Sequence, residues 1–119
     1  MQVSDDCIFC SIVKGDTESD FLYEDGQVVA FRDSNPAAKF HVLIVPKDHV
    51  PALDSMSTLN TEFLAHLLLT AKKLGNEHSS EYGYRVALNG GGAEDVPHLH
   101  MHVLGGQADL GNPAKGVIQ

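Results

Sequence analysis

Several features that mark large classes of proteins are scarce in this sequence or missing from it. It has no tryptophan and only two cysteines, and 8 Lys and Arg stand against 16 Asp and Glu, for a net charge of −8 at pH 7 with histidine neutral. That charge argues against a long polyanionic partner, so we expect neither nucleic acid nor an anionic membrane as a partner. No run of 18 or more apolar residues suits a membrane-spanning helix. The first ten residues, MQVSDDCIFC, lack the basic region of a signal peptide, which favours a cytoplasmic location.

Length and cysteine content narrow the class further. The chain has 119 residues, 43% of them hydrophobic, which suits a single domain that buries somewhat over about 60% of its unfolded surface. In a reducing compartment the two cysteines are expected to be thiols or metal ligands rather than a disulfide. The acidic charge still permits a small phosphorylated ligand, because such a ligand needs only a local pocket.

Short β-like runs and one helical stretch organise the chain. Apolar residues recur at spacings of three and four over residues 58–78, which predicts a helix. Asp25-Gly26 separates two β-like runs and predicts a hairpin turn. The predicted strands are 21–24, 27–33, 40–46, 84–89 and 98–106, and residues 7–14 are a short helix or turn. Hairpin strands with one long helix indicate an antiparallel α+β domain.

Histidine is the unusual residue, because three of the seven stand at alternate positions of the last predicted strand. Alternate side chains share a face, so His98, His100 and His102 are expected to project together, about 7 Å apart, while the apolar residues between them pack beneath the helix. Imidazoles in a row can bind a metal such as zinc. They can also perform nucleophilic and acid–base chemistry on phosphorus. Backbone N–H groups near the glycines at 90–92 offer a cradle for a phosphate.

The sequence around these histidines resembles a known family. HLHMHVL matches the histidine triad signature, His-φ-His-φ-His-φ-φ with φ hydrophobic, and CIFCSIVKG, YEDGQVVAFRDSNPAAKFHVLIVPKDH, GYRVALN and LGG resemble the family in the right order. The chain is therefore similar to the histidine triad (HIT) proteins, and most of all to their Hint-like nucleotide-binding branch. The resemblance implies a single HIT domain over residues 1–119, with a core of about 7–106 and an irregular tail at 107–119.

The same resemblance implies a fold and a reaction. The HIT-like fold is a five-stranded antiparallel meander sheet with one long helix and a short N-terminal helix, and the family's proteins are usually homodimers. They bind purine nucleotides and hydrolyse nucleoside phosphoramidates or related AMP conjugates at the α-phosphate. The reaction passes through a nucleotidyl-histidine and uses no catalytic metal.

Individual residues take roles from the resemblance. His100 matches the nucleophile, and His102 matches a contact to the phosphate or leaving group. His98 and His41 match groups that orient and tune the site. His41 could instead be a histidine that serves the structure alone.

The nucleotide-binding residues that the resemblance implies form a second set. Among them are a carboxylate for the ribose hydroxyls, an amide for the phosphate side and apolar walls for the base. The set is Asp33 for the ribose, Asn89 for the phosphate, Ile8, Phe9 and Phe31 for the base, and Asp95 and Val96 before the triad. The alternatives are an Asx turn at Asp33 and ordinary core positions for the two phenylalanines.

The turn before the triad departs from the family pattern. Members usually have Gly-Gln-x-Val-x-His, whereas residues 93–98 read AEDVPH, and the turn is about two residues short. Glu94 replaces the usual amide, and Asp95 stands where many members have a small donor. Carboxylates repel a phosphate unless they turn away or are protonated. This departure motivates an alternative function, a nucleotide-binding regulatory module with little turnover. A third hypothesis is a zinc-dependent hydrolase that uses the three triad histidines as ligands.

The cysteine pair Cys7-x-x-Cys10 is half of a zinc site by spacing. Family members with this leading pair take their other ligands from a His after Pro-Lys-x and from the first triad His, which match His49 and His98. The resemblance thus implies a structural Cys2His2 zinc site, which would leave His100, His102 and His41 for the chemistry. The alternative is two free buried cysteines. His66 and His78, on the predicted helix, are expected to be surface or packing residues.

Overall fold

The five predicted strands form one antiparallel sheet in the computed structural model, which describes residues 7–17, 19–78, 82–93 and 96–108. The elements are α1 (Ile8–Lys14), β1 (Phe21–Glu24), β2 (Val28–Arg32), β3 (Phe40–Pro46), α2 (Thr61–His78), β4 (Tyr84–Leu88) and β5 (Met101–Gly105). The predicted α+β class, with one long helix and a short N-terminal helix, is confirmed. In the described part of the chain no helix has the length and hydropathy to cross a membrane.

The strand order places β5, which carries the last histidine of the triad, inside the sheet. The order is β1-β2-β3-β5-β4, so the connection through α2 takes the chain to the far edge, and β5 then returns between β3 and β4. His102 accordingly lies opposite Leu43 of β3 and opposite Ala87 of β4. Hydrogen-bond ladders on both sides of β5 fix the direction of its side chains.

Each face of the sheet buries its own apolar cluster. On one face, α2 packs through Leu67, Ala71 and Leu74 on a cluster from β2, β3 and β5, to which the three apolar residues between and after the triad histidines contribute. That contribution, predicted from the alternation, consists of Leu99, Met101 and Val103. On the other face, α1 packs on alternate residues of β2 and β3, and the cluster is Cys7, Phe9, Cys10, Val29, Phe31, Leu43 and Val45. The period-2 pattern thus assigns one face to each helix.

The turn between β1 and β2 is organised by one carboxylate. Asp25 Oδ1 accepts hydrogen bonds from the backbone N–H groups of Gln27 (2.7 Å) and Val28 (2.9 Å). Its Oδ2 accepts from the Tyr23 hydroxyl at 2.8 Å and lies 2.6 Å from His66 Nε2 of α2. The predicted hairpin turn therefore also joins the long helix to the sheet.

Two predicted boundaries are wrong. The last strand begins at Met101 rather than at residue 98, because the preceding backbone bonds elsewhere: the Leu99 N–H donates to the Val50 carbonyl at 2.6 Å, outside the strand ladders. The helix begins at Thr61 rather than at residue 58, since Thr58–Asn60 form a separate 3-10 turn. The triad histidines therefore start in an irregular segment, and only His102 lies within a strand.

Candidate active site and metal-binding cluster

The three triad histidines are buried beneath α1. His98, His100 and His102 are each at most 3% exposed. The Phe9 ring of α1 contacts two of them edge-on, with centroids 5.8 Å from His98 and 5.1 Å from His100, and the rings of His100 and His102 are 5.1 Å apart. The three triad histidines are therefore buried and do not form an exposed face of a strand.

Backbone geometry fixes the tautomer of His100. Its Nδ1 lies 2.7 Å from the His98 carbonyl, and because a carbonyl only accepts, Nδ1 carries the proton. The Nε2 of the neutral ring therefore holds a lone pair. This atom is buried and has no hydrogen-bond partner among the described residues. An imidazole nitrogen that holds a lone pair and has no hydrogen-bond partner is suited to nucleophilic attack.

A backbone N–H also fixes the tautomer of His41. The Ala37 N–H donates to His41 Nδ1 at 2.9 Å, so neutral His41 carries its proton on Nε2. That Nε2 lies 2.8 Å from His102 Nδ1, which therefore accepts and leaves the proton of neutral His102 on Nε2. Burial lowers the pKa of His41, against the pull of the Asp33 carboxylate, which agrees with a neutral ring. His102 is thereby arranged as a hydrogen-bond donor.

Asp33 forms the Asx turn of the alternative reading and also contacts His41, while its role toward a ribose stays a prediction. Its Oδ1 accepts the Asn35 N–H at 2.9 Å, the Asx turn of the alternative reading. Its Oδ2 is buried, has no hydrogen-bond partner among the described residues, and lies 3.4 Å from His41 Nε2. Asp33, His41 and His102 are close enough to suggest a metal site. A metal on His41 Nε2 would need a proton on Nδ1, and the Ala37 N–H facing Nδ1 disfavours that arrangement.

A cavity of about 350 Å³ lies beside Phe9 and Asp33. Its apolar lining is Ile8, Phe9, Ile12, Phe31, Leu43 and Val96, and its polar lining is Thr17, Ser19, Arg32, Asp33 and Ser34. Five of the predicted nucleotide-binding residues thus meet at one cavity. Asn89 follows β4 directly, and its contact with a phosphate stays a prediction. Glu94, Asp95 and the tail from residue 109 lie outside the described residues.

The four predicted zinc ligands converge. His98 Nδ1 lies 3.2 Å from Cys7 Sγ and 3.4 Å from Cys10 Sγ, and His49 Nδ1 lies 3.3 Å from Cys10 Sγ. His98 Nε2 donates to the Pro46 carbonyl at 2.9 Å, which leaves the Nδ1 lone pair directed at the thiols. Burial lowers the pKa of His98 to about 4, so its ring is neutral at pH 7.

This donor set fits zinc. Two thiols and two imidazole nitrogens are the ligands of a closed tetrahedral site, and a backbone carbonyl on the far nitrogen is the usual support for a ligating histidine. Both nitrogens of His98 are engaged in these contacts, and the potential metal-binding groups place His98 with the two cysteines and His49 but not with His100. The described contacts therefore do not bring the three triad histidines together as ligands of one ion.

Some contacts were missed by sequence reasoning. His66, expected to be a surface or packing residue, forms a hydrogen bond with Asp25. His78 does pack, stacking on Phe40 at 4.9 Å between centroids. The cavity residues Ile12 and Leu43 were detectable in principle, because Ile12 follows Ile8 by one helical turn and Leu43 shares a strand face with His41. Thr17 and Ser19 lie in a loop that carried no signal.

Known proteins match the chain along most of its length. The family model for the HIT domain matches residues 14–109. The purine nucleoside phosphoramidase of Escherichia coli K12 is 34% identical over 108 residues, 88% of this chain and 91% of that protein. A 14 kDa zinc-binding protein of Zea mays is 42% identical over 104 residues, covering 84% and 81% of the two chains. A HIT family hydrolase from Legionella pneumophila Philadelphia 1 superposes with a TM-score of 0.80 at 41% identity, covering 86% and 94%.

Proposed function

The chain belongs to the HIT domain family, and from that premise we propose that it binds a purine nucleotide and hydrolyses nucleoside phosphoramidates or related AMP conjugates through a nucleotidyl-histidine on His100. The observation that carries this proposal is His100 Nε2, a buried nitrogen that holds the lone pair of the neutral ring because the Nδ1–H on the opposite side donates to the His98 carbonyl. The similarity to a purine nucleoside phosphoramidase supports the substrate class.

The proposed reaction has two displacements. His100 Nε2 attacks the α-phosphorus of a substrate whose bridging nitrogen is protonated, the bond to that nitrogen breaks, and the amine leaves in its neutral form while His102 Nε2–H donates a hydrogen bond to a phosphoryl oxygen. Water then attacks the phosphorus, the bond to His100 Nε2 breaks, and a proton of the water passes through solvent to the released amine. Both steps follow from the tautomers: Nδ1 of His100 carries its proton, so the lone pair is on Nε2, and Nδ1 of His102 accepts from His41, so the proton of His102 is on Nε2.

The remaining residues serve binding. Ile8, Phe9, Phe31 and Val96 enclose the base, and Asp33 accepts from the ribose hydroxyls through Oδ2. Asn89 and Asp95 lie on the phosphate side. The cavity of about 350 Å³ is in the size range of small-ligand sites, which supports a single nucleotide as the occupant.

A structural zinc ion belongs to the proposal. Cys7, Cys10, His49 and His98 would hold it, and bound zinc would join α1 to the loop after β3. The similarity to a zinc-binding protein supports this role. Its effect on the chemistry would be indirect, since α1 carries Phe9 against His100.

We also propose a homodimer in the cytoplasm. Strand β4 is an edge of the sheet, and α2 beside it exposes Leu68 (55%) and Leu69 (60%). An edge strand and exposed leucines are what a second copy would cover. Light scattering on the purified full chain should give the mass of two chains, and a monomer at all concentrations tested would contradict the dimer.

One kinetic experiment tests the enzyme. We expect the full chain to hydrolyse an AMP–amine conjugate, His100→Asn to lose that activity, and His78→Asn, the same change at a stacked residue of α2, to keep it. Quenching the first turnover in alkaline denaturant should trap AMP on His100, because the P–N bond to histidine is labile in acid but survives in alkali. Equal slow hydrolysis by wild type and His100→Asn would contradict the mechanism. Nucleotide binding without turnover would favour the regulatory module that Glu94 and Asp95 suggested.

A further inference from the structure

One wall of the cavity combines apolar side chains with a hydroxyl pair. Thr17 lines the cavity from the loop after α1, on the same side as Ile12. Its Oγ1 lies 2.6 Å from Ser11 Oγ, and either hydroxyl can be the donor. A nucleotide base needs apolar surfaces for its faces and hydrogen-bonding groups for its edge, and this wall offers both.

The Thr17 hydroxyl is held in place by backbone as well as by Ser11. The N–H groups of Asp16 and Thr17 both donate to the Ser11 carbonyl, at 2.9 and 3.3 Å, and Gly15 takes the left-handed conformation (φ 86°) that turns the chain off α1. The loop is therefore tied to the second turn of the helix. A hydroxyl positioned in this way can select among ligands with little loss of side-chain entropy.

The pair can reverse its direction. When a ligand presents an acceptor, Thr17 donates to it and accepts from Ser11. When a ligand presents a donor, Thr17 accepts from it and donates to Ser11. The number of hydrogen bonds is the same in both cases.

Purines differ in this respect at the 6-position, where adenine carries an amino donor and guanine an oxo acceptor. We propose that Thr17, supported by Ser11, is a specificity-determining residue that forms a hydrogen bond with the 6-substituent of a purine. Because its hydroxyl can donate or accept, it binds a purine with a 6-amino group and one with a 6-oxo group. This inference rests on the proposed function, because it takes the cavity as the site of the base.

The test compares three purine substrates that carry an amino group, an oxo group or hydrogen at the 6-position; adenosine and purine riboside differ only there. The full chain is assayed with phosphoramidates of adenosine, guanosine and purine riboside, the last of which has hydrogen there. We expect similar kcat/KM for adenosine and guanosine, and a value about 2- to 12-fold lower for purine riboside, the range for one neutral hydrogen bond. The difference should lie in KM, since the hydroxyl is distant from the reacting phosphorus.

Two variants make the test specific. Thr17→Val should remove the difference between adenosine and purine riboside by raising KM for adenosine and guanosine only. Ser11→Ala should favour guanosine over adenosine, because Thr17 accepting from an amino group would keep an unpaired hydroxyl proton, which costs more than an unpaired lone pair. Thr61→Val removes an exposed hydroxyl of α2 outside the cavity and is the matched control, expected to leave all three ratios unchanged.

The outcomes separate this inference from the proposed function. If wild type hydrolyses and binds none of the three compounds, the proposed function fails. If it hydrolyses them and Thr17→Val, folded by circular dichroism, keeps the ratio of adenosine to purine riboside, the role of Thr17 is overturned. Loss of the ratio in Thr17→Val together with an unchanged ratio in Thr61→Val supports it.

Discussion

Replacing Asp33 by Asn tests the chain of hydrogen bonds behind the triad. The amide oxygen of Asn can keep the bond to the Asn35 N–H, but an NH2 donor then stands where Oδ2 lies 3.4 Å from the Nε2–H of His41. Within the His41 ring, this contact between two donors is avoided only if the proton moves from Nε2 to Nδ1. That nitrogen already faces the Ala37 N–H at 2.9 Å. One buried donor is left without an acceptor in either arrangement.

The size of the effect follows from that unpaired donor. A buried donor without a partner costs about 1–3 kcal/mol. If the cost falls on the arrangement that keeps the proton of His102 on Nε2, kcat should fall about 5- to 150-fold at about 1.4 kcal/mol per factor of ten. The KM of a substrate without ribose hydroxyls should change little, because the bonds concerned then hold His102 and not the substrate.

A pair of substrates separates this effect from a ribose contact. Wild type, Asp33→Asn and the control Asp54→Asn, an exposed carboxylate outside the cavity, are assayed with an AMP–amine conjugate and with its 2′,3′-dideoxy analogue. We expect the loss in kcat to be the same on both substrates, and 15N shifts of the histidines to report an altered His102 tautomer. A loss confined to the ribose substrate would assign Asp33 to ribose binding alone. An unchanged kcat on both would refute the reasoning.

Three further results are expected from the cluster, the hairpin and the dimer edge. Purified protein should carry about one zinc per chain, and Cys7→Ser should lose it and unfold at a lower temperature, whereas a folded, metal-free native protein would contradict the site. Partial burial opposes the ionisation of Asp25, but hydrogen bonds from Gln27, Val28, Tyr23 and His66 outweigh it and hold its pKa well below the usual range. Its contribution to stability is therefore present above about pH 4, the ordinary pKa, and is lost as the pH falls below it. In urea titrations, Asp25→Asn should lower the free energy of unfolding at pH 7 by about 1–3 kcal/mol and should flatten the dependence of that free energy on pH between about 2 and 4. A pH dependence parallel to that of the wild type would count against this role of Asp25. Charged substitution at Leu68 or Leu69 should weaken the dimer without unfolding the chain, and an unchanged mass would place the interface elsewhere.

The elements of the fold were accessible from sequence because each depends on a local pattern. The alternation of residues 98–103 assigned Leu99, Met101 and Val103 to the side of the helix, and Asp25-Gly26 marked its hairpin. The start of the last strand was not accessible. It depends on the Leu99 N–H bonding to Val50, a residue 49 positions away whose loop has no periodic pattern.

The candidate site, like the fold, was predictable from the sequence only in part. Residue types and resemblance indicated which histidines and cysteines converge, but they gave no directions for hydrogen bonds. The donor that fixes His41 is the N–H of Ala37, a residue whose side chain says nothing about it. The Thr17 side chain lines the cavity because of the way α1 and the loop after it pack, and no sequence pattern marks that packing. Backbone groups and loop closure are features that a single sequence leaves open.

His98 links the cluster of Cys7, Cys10 and His49 to His100, the proposed nucleophile. Its Nδ1 faces the two thiols, its Nε2–H is held by the Pro46 carbonyl, and its own carbonyl holds the proton of His100 Nδ1. One residue therefore uses its ring to support α1 and its backbone to set the tautomer of the nucleophile. Displacing the ring would move the carbonyl that accepts from His100 Nδ1–H and so sets the tautomer of that ring. The irregular segment that precedes β5 therefore both supports α1 and orients His100.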